Sequence, residues 1–365
     1  MAEKYKHYYV PQILVKNWSA DGKHASWYNP MTQKRVENGN ITRYFHENLV
    51  DIPDEIIAGI NNLDAFFKDV LSYLLDGEVD CLKLDEAVSP REAIIFMLLR
   101  APMPLFSLDN MLERMMHDLT ALFSRSKKGK KEELRSEEIK RAFNQMAVYG
   151  LDLLDMEAVI LSAPEGSSFV LGTIPVTCIN PYFSGAKPDS FPGVQAFEKW
   201  GSVLVLPLTP EKALCIYDPE TYTVEDNDGF CTLKKKDVDM LNSAALYNSN
   251  DIGGVIHVCG EDYLNDLYGK LDDEDYFRES SYLGGEDEFP FSTKLSVLKV
   301  RKEAVEKREE RKKSFLREYI SNLVDYDDKN YEKIHGENAV KEFTKRYRYA
   351  VRMLKTIRKK KAGGE

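Results

Sequence analysis

The chain has 365 residues and a formal net charge of −10, with 43% hydrophobic and 30% charged residues. This composition is ordinary for a globular protein and excludes wholesale disorder. No run approaches the ~18 consecutive apolar residues that a membrane span needs. The polar start, Met1 to Lys6, lacks the apolar segment of a secretory leader, so we expect a cytoplasmic protein that is not inserted in a membrane.

The charge is distributed unevenly along the chain. Lys294 to Glu365 contain 22 Lys and Arg residues against 12 Asp and Glu, a net charge of +10. The other 293 residues therefore carry −20. A basic tail on an acidic body predicts contact with nucleic acid, with an acidic protein partner, or with the body itself.

The first fifty residues are predicted to form strands and turns. The turn signal Asn29-Pro30 separates two apolar segments and predicts a hairpin. The predicted extended segments are Tyr8 to Val10, Ile13 to Val15, Ala25 to Tyr28 and Thr32 to Val36, and Ile41 to Phe45 is a further short apolar segment.

Apolar residues then recur at every third or fourth position from Asp54 to Gly150. This period predicts a helical bundle inserted at about residues 54–150. Ser89 and Pro90, with Glu92 three residues after the serine, form a capping-box pattern that marks the start of its second helix.

Short apolar segments bounded by Gly, Pro and Asp return after the bundle and predict strands. They are Ala158 to Leu161, Ser168 to Leu171, Val203 to Leu206 and Ala213 to Tyr217. Ile179 to Trp200 is predicted to be a long loop, and Lys236 to Asn248 a helix. The predicted fold class is α+β: an N-terminal β-hairpin and a mixed sheet with the inserted bundle, in a core of residues 1–255.

Two further segments follow this core. Residues 256–292 are acidic and predict a connector of mixed helix and loop, and residues 293–365 predict a basic extension of two helices. The second of these helices carries Arg348, Arg352 and Lys355 among interleaved tyrosines. Such a helix suits a phosphate backbone, and a solvated helix face is the alternative.

The N-terminal motif His7-Tyr8-Tyr9-Val10-Pro11-Gln12, followed by Trp18 and Trp27-Tyr28, resembles the opening of domain-of-unknown-function family 4238. Later segments agree in order with that family: Leu99 to Pro102, Phe169 to Val176, and Val205 to Pro210. The resemblance covers roughly residues 5–252. Gly172, Thr173 and Ile174 depart from it, because the family usually has Ser, Asp and Asn there.

The candidate catalytic residues are His7, Gln12 and Arg100. Histidine titrates near physiological pH and suits proton transfer, and Gln12 lies close in sequence to orient it. Arg100 ends an apolar helix, where a guanidinium suits a phosphate or carboxylate ligand. The alternatives are a histidine that pins the N-terminal strand and an arginine that completes the helix C-terminus.

Thr173, Asn242 and Asn248 are candidate binding residues, although such residues also cap turns. No metal and no cofactor is predicted, because no histidine lies at ligand spacing from a cysteine and no phosphate-binding glycine loop is present.

The function expected from this set is an effector that acts on nucleic acid. His7 and Arg100 suit metal-independent RNA cleavage, in which the 2′-OH attacks and no metal is required. The resemblance adds that proteins of such families often occur as accessory or defence genes in bacteria and phages. Two alternatives remain open: a non-catalytic module that binds a ligand or nucleic acid, and a scaffold whose basic tail docks a partner subunit.

Overall fold

The computed structural model describes residues 4–75, 136, 139, 153, 156–179, 201–219, 221–224, 230–249, 253–271 and 291–293. These residues form an α+β fold, as predicted. Within them, no helix combines the length and apolar character needed to cross a membrane. Arg100, the connector residues 272–290 and the basic extension from Lys294 lie outside the described residues.

The N-terminal part alternates strands with short helical turns before one long helix. Its elements are β1 (Lys4–Tyr8), α1 (Gln12–Val15), a 3-10 turn (Lys16–Trp18), β2 (His24–Asn29), β3 (Lys34–Asn40), a second 3-10 turn (Ile41–Arg43), β4 (His46–Val50) and α2 (Asp54–Leu75). Strands β2 and β3 are antiparallel neighbours, which confirms the predicted hairpin. Strands β1 and β4 pair antiparallel as a separate two-stranded ribbon.

The segment Ile13 to Val15 was predicted to be extended, and this prediction is wrong. Pro11 holds the cap position with φ −57° and ψ 133°, and helical turns follow from Gln12 to Trp18. Leu14, Val15 and Trp18 are all buried. Their spacing of three and four residues places them on one face of a helix, and a strand would have divided them between two faces.

The second half of the chain contributes most of the strands and two further helices. They are β5 (Glu157–Ser162), β6 (Leu171–Gly172), β7 (Thr177–Ile179), β8 (Val203–Pro207), β9 (Lys212–Tyr217), β10 (Tyr222–Val224), β11 (Phe230–Thr232), α3 (Lys235–Ser249), β12 (Val255–His257), α4 (Glu261–Gly269) and β13 (Phe291–Thr293). Strand β5 matches the prediction to within one residue at each end, and α3 does the same.

Two larger sheets organise these strands. The five-stranded sheet has the order β11-β5-β9-β8-β7; the β11–β5 pair is parallel and the other pairs are antiparallel, so the sheet is mixed as predicted. The four-stranded sheet has the order β3-β2-β12-β6, so the N-terminal hairpin is completed by strands from the second half. Strands β10 and β13 form a two-stranded pair of their own.

The five-stranded sheet is buried on both faces. Along β9, Leu214 and Ile216 belong to one hydrophobic core, and Ala213, Cys215 and Tyr217 belong to another. This alternation follows from the two-residue period of a strand. The first core also contains residues of α1, α2 and β4, and the second contains residues of α3 and α4. The β1–β4 ribbon and α3 therefore serve different cores.

Candidate functional site

His7 lies on β1 directly opposite Glu47 of β4. Residues that face each other across an antiparallel pair have Cβ atoms about 4.5–5.5 Å apart and share one face of the ribbon. His7 is 1% exposed, and Glu47 is half-buried. The ribbon therefore brings an imidazole and a carboxyl group together at the edge of the first core.

Tyr5 extends the His7 face of the ribbon. It lies two residues before His7 on the same strand, and the two ring centroids are 6.3 Å apart. Its hydroxyl donates to Asn61 Oδ1 on α2 at 3.4 Å, a long hydrogen bond. Its cross-strand partner Leu49 is completely buried. Helix α2 therefore contacts the ribbon close to His7.

The opposite face of the ribbon is more exposed and carries Lys6, Tyr8 and His46. Lys6 Nζ donates to the Thr42 carbonyl at 2.6 Å, and the Tyr8 hydroxyl donates to the same oxygen at 3.1 Å. The Tyr8 and His46 rings lie 5.5 Å apart. Partial burial, with the charge of Lys6, lowers the pKa of His46 from its ordinary value.

Phe45, immediately before β4, has φ +58°. For a bulky side chain this left-handed conformation is a true outlier and costs about 1–2 kcal/mol. The Phe45 carbonyl accepts the Tyr9 N–H at 3.1 Å, and its ring contacts Trp27 edge-on at 6.5 Å. The strained residue therefore joins the ribbon to the hairpin, directly beside His46.

Of the other two predicted catalytic residues, the structure describes Gln12 but not Arg100. Gln12 is the first residue of α1 and is half-buried, four residues after the end of β1. Arg100 and the tail residues Arg348, Arg352 and Lys355 lie outside the described residues.

Thr173 is completely buried and binds the C-terminal end of α3. Its hydroxyl donates to the Ser249 carbonyl at 3.4 Å. The Ile174 N–H donates to Ser249 Oγ at 3.3 Å, and a Cβ at Gly172 would overlap that same oxygen. That Cβ would also lie 2.8 Å from the Ile174 carbonyl oxygen, which is part of the backbone, and this gives a steric reason for the glycine.

Asn242 is 1% exposed and links α3 to the segment before β6. Its Oδ1 accepts the Val170 N–H at 2.9 Å, and its Nδ2 donates to the Ser168 carbonyl at 2.8 Å and to the Tyr263 hydroxyl at 3.0 Å. The side-chain amide thus accepts from one backbone N–H and donates to one backbone carbonyl, as the backbone of a neighbouring strand would. Asn248 is half-buried one turn and a half further along α3. Thr173, Asn242 and Asn248 therefore lie along α3, and His7 lies on the ribbon of the other core.

Sequence reasoning missed Glu47 and the pair Tyr263–Asp239. The Tyr263 hydroxyl donates to Asp239 Oδ1 at 2.7 Å. Burial raises the pKa of Tyr263, and the hydrogen bond with the Asp239 carboxylate raises it further. Tyr263 lies 21 residues after Asn242, so no local pattern indicates the contact. Glu47 becomes recognisable only from the register of β1 with β4.

Two titratable groups lie close together at the end of β12. Burial raises the pKa of the Cys259 thiol to about 11, so it is protonated at neutral pH. Burial also lowers the pKa of His257, whose Nδ1 contacts the Cys259 carbonyl. In the part of the chain that the structure describes, no three His, Cys, Asp or Glu side chains are grouped as a metal site.

Comparison with known proteins gives one match. The family model "Protein of unknown function (DUF4238)" matches residues 6–257, well over half of the chain. No curated protein and no solved structure matches. The matched range begins at the ribbon that carries His7 and ends at the last residue of β12. The chain therefore belongs to the DUF4238 family.

Proposed function

We propose that this protein acts on nucleic acid as a defence- or toxin-like effector that cleaves RNA without a metal ion. The observation that supports the proposal is the cross-strand position of Glu47 opposite His7. A carboxylate beside an imidazole orients the ring and stabilises the imidazolium that forms when the ring accepts a proton. Nucleophile activation of this kind requires a base held within reach of the attacking hydroxyl.

In the proposed reaction, His7 accepts the proton of a ribose 2′-OH as its oxygen attacks the adjacent phosphorus. The bond from phosphorus to the 5′-oxygen breaks, and protonated His7 gives the same proton to that leaving oxygen. The products are a 2′,3′-cyclic phosphate and a free 5′-OH, so atoms and charge balance. Arg100 is assigned to the phosphate, because a guanidinium forms paired hydrogen bonds with phosphate oxygens. Since His7 is 1% exposed, the reaction also requires the covering residues to move away from it.

The experiment that tests this function compares His7→Ala with His24→Ala, a histidine on β2 that is partly exposed and paired with Asp21. Labelled total RNA and single-stranded DNA are incubated with each protein, with and without EDTA. We expect the wild type and His24→Ala to cut RNA equally in EDTA and leave 2′,3′-cyclic ends. Folded His7→Ala is expected to have no activity.

Because His7 is buried, His7→Ala can fail to fold, and Glu47→Gln is the second variant. We expect Glu47→Gln to fold and to lower kcat with little change in KM, since Glu47 positions His7 and does not hold substrate. RNA that stays intact with the folded wild type, or a folded His7→Ala that cuts normally, would reject RNA cleavage through His7.

A second candidate is a non-catalytic module that binds nucleic acid or another ligand, with the tail as its main contact. The burial of His7 favours it, as do the contacts of Thr173 and Asn242 with backbone groups. In this case the combined Arg348→Ala, Arg352→Ala and Lys355→Ala variant loses RNA binding and its salt dependence, and the wild type shows no turnover. A scaffold that docks an acidic subunit predicts neither RNA binding nor cleavage.

A further inference from the structure

The face of the β1–β4 ribbon opposite His7 has the character of a nucleic-acid platform. We call it the Lys6 face; it includes Lys6, Tyr8, His46 and Asn48, with Thr42 and Arg43 in the adjoining turn. Lys6, Thr42, Arg43 and Asn48 are exposed, and Tyr8 and His46 are half-buried.

The charge of this face contrasts with that of the protein around it. The first 293 residues carry a net charge of −20. Glu47, the one carboxylate of β4, belongs to the other face because it pairs with His7. The positions that share a face with Lys6 include no Asp or Glu. Phosphate groups are therefore attracted to the Lys6 face, whereas the acidic body repels them.

The aromatic groups of the face are held in place beside the cation. Lys6 Nζ lies 5.0 Å from the centre of the Tyr8 ring, and the His46 ring is tilted by 48° to that of Tyr8. Both Lys6 and Tyr8 donate to the single carbonyl of Thr42. The contacts of Lys6 are solvent-exposed and therefore weak, so a phosphate can bind the Lys6 ammonium group in place of them. The face of the Tyr8 ring is then accessible to a base.

His46 lies beside Tyr8 at the same place. Its Nδ1 is buried, and the Tyr44 backbone acts on the ring as a hydrogen-bond partner.

We propose that the Lys6 face binds single-stranded RNA, with Lys6 on a phosphate and a base stacked on Tyr8. The choice of RNA rests on the proposed function, and the surface is additional to the C-terminal tail. Bases stack on aromatic rings in sequence-independent binding of single strands, and lysines neutralise the backbone. The Lys6 face is thus where the strand is held.

The test uses the full chain and a 5′-fluorescent 2′-O-methyl oligouridine 12-mer, which has no 2′-OH to attack. Anisotropy titrations at several salt concentrations compare Lys6→Ala with Lys34→Ala, an exposed lysine on β3. We expect Lys6→Ala to lower the slope of log K against log salt by about 0.7, the value for one lost phosphate contact to a single strand. Lys34→Ala is expected to leave the slope unchanged.

Tyr8→Ala and Tyr8→Phe test the stacking. We expect Tyr8→Ala to weaken binding at least about five-fold and Tyr8→Phe to bind like the wild type, since the ring is what stacks. A 12-mer with one 4-thiouridine is expected to crosslink to the peptide that contains Tyr8. This measurement uses the wild-type protein and does not depend on the folding of a variant. Crosslinks confined to residues 294–365, or equal effects of Lys6→Ala and Lys34→Ala, would overturn the proposal.

The outcome is separable from that of the proposed function. Because the probe has no 2′-OH, it cannot be cleaved through the proposed reaction, so its binding is measured separately from turnover. Cleavage without binding at the Lys6 face rejects the platform alone, and binding there without cleavage rejects the enzyme alone. Equal binding of oligothymidylate, with the same losses in the variants, would overturn the assignment to RNA.

Discussion

Replacement of Asn242 by alanine tests how the segment before β6 is held against α3. The change removes three hydrogen bonds, to the Val170 N–H, the Ser168 carbonyl and the Tyr263 hydroxyl. At about 1 kcal/mol each, their loss lowers the free energy of unfolding by about 3 kcal/mol. The Val170 N–H is buried and would be left without a partner, which adds about 1 kcal/mol.

Thermal unfolding followed by circular dichroism measures this change. One kcal/mol shifts Tm by about 2–4 °C in a body of roughly 200 residues, so the total loss of about 4 kcal/mol is expected to lower Tm by at least about 8 °C. Asn248→Ala is the matched control, because Asn248 lies on the same helix and is half-buried. We expect its effect to stay within about 0.5 kcal/mol.

A double-mutant cycle with Tyr263→Phe separates the tyrosine contact from the backbone contacts. The two residues share a 3.0 Å hydrogen bond, so the double variant should lose about 1 kcal/mol less than the sum of the single ones. If Asn242→Ala changes Tm no more than Asn248→Ala does, the backbone-bridging role of Asn242 is refuted.

Two further predictions concern stability. Gly254 has φ +102° and an added Cβ would overlap the Tyr28 carbonyl, so Gly254→Ala should lower the free energy of unfolding, measured in urea, by about 2 kcal/mol or more. Gly269 has open space around an added Cβ, so Gly269→Ala should be neutral or stabilising by up to about 1 kcal/mol. Equal effects of the two substitutions would contradict the steric argument. His257 has a folded-state pKa below 6.5, so the unfolded chain binds more protons and stability should fall as the pH drops from 7.5 through 6.5 toward 5.5. The same urea titrations on His257→Gln should show a shallower fall, and an unchanged pH dependence would contradict the assignment to His257.

Much of the secondary structure was predictable because its signals are local. The short apolar run within Glu157–Ser162 and the turn at Asn29-Pro30 reflect which side chains are buried and which backbone angles proline permits. The error at Ile13 to Val15 has a physical cause as well. Three adjacent apolar residues fit a buried strand or a helical turn equally, and only the burial of Trp18 four residues after Leu14 selects the helix.

The candidate site was predictable only in part. His7 was identified from its residue type and from a motif, but Glu47 lies 40 residues away and has no local signal. Asn242 was identified as a binding residue, and the structure shows its amide in contact with the backbone of Ser168 and Val170. A sequence reports that an amide is present; the partners of its hydrogen bonds depend on which distant segment packs against it.

The sequence by itself determined the α+β class, the N-terminal hairpin, α3 and the separation of an acidic body from a basic tail. These features depend on hydrophobic period, turn chemistry and counted charge, which are all local or additive. The tertiary structure decided that β12 and β6 complete the sheet of β2 and β3, and that His7 faces Glu47 while Lys6 and Tyr8 face away from it. Strand register decides these contacts, because a slip of one residue would exchange the two faces of the ribbon.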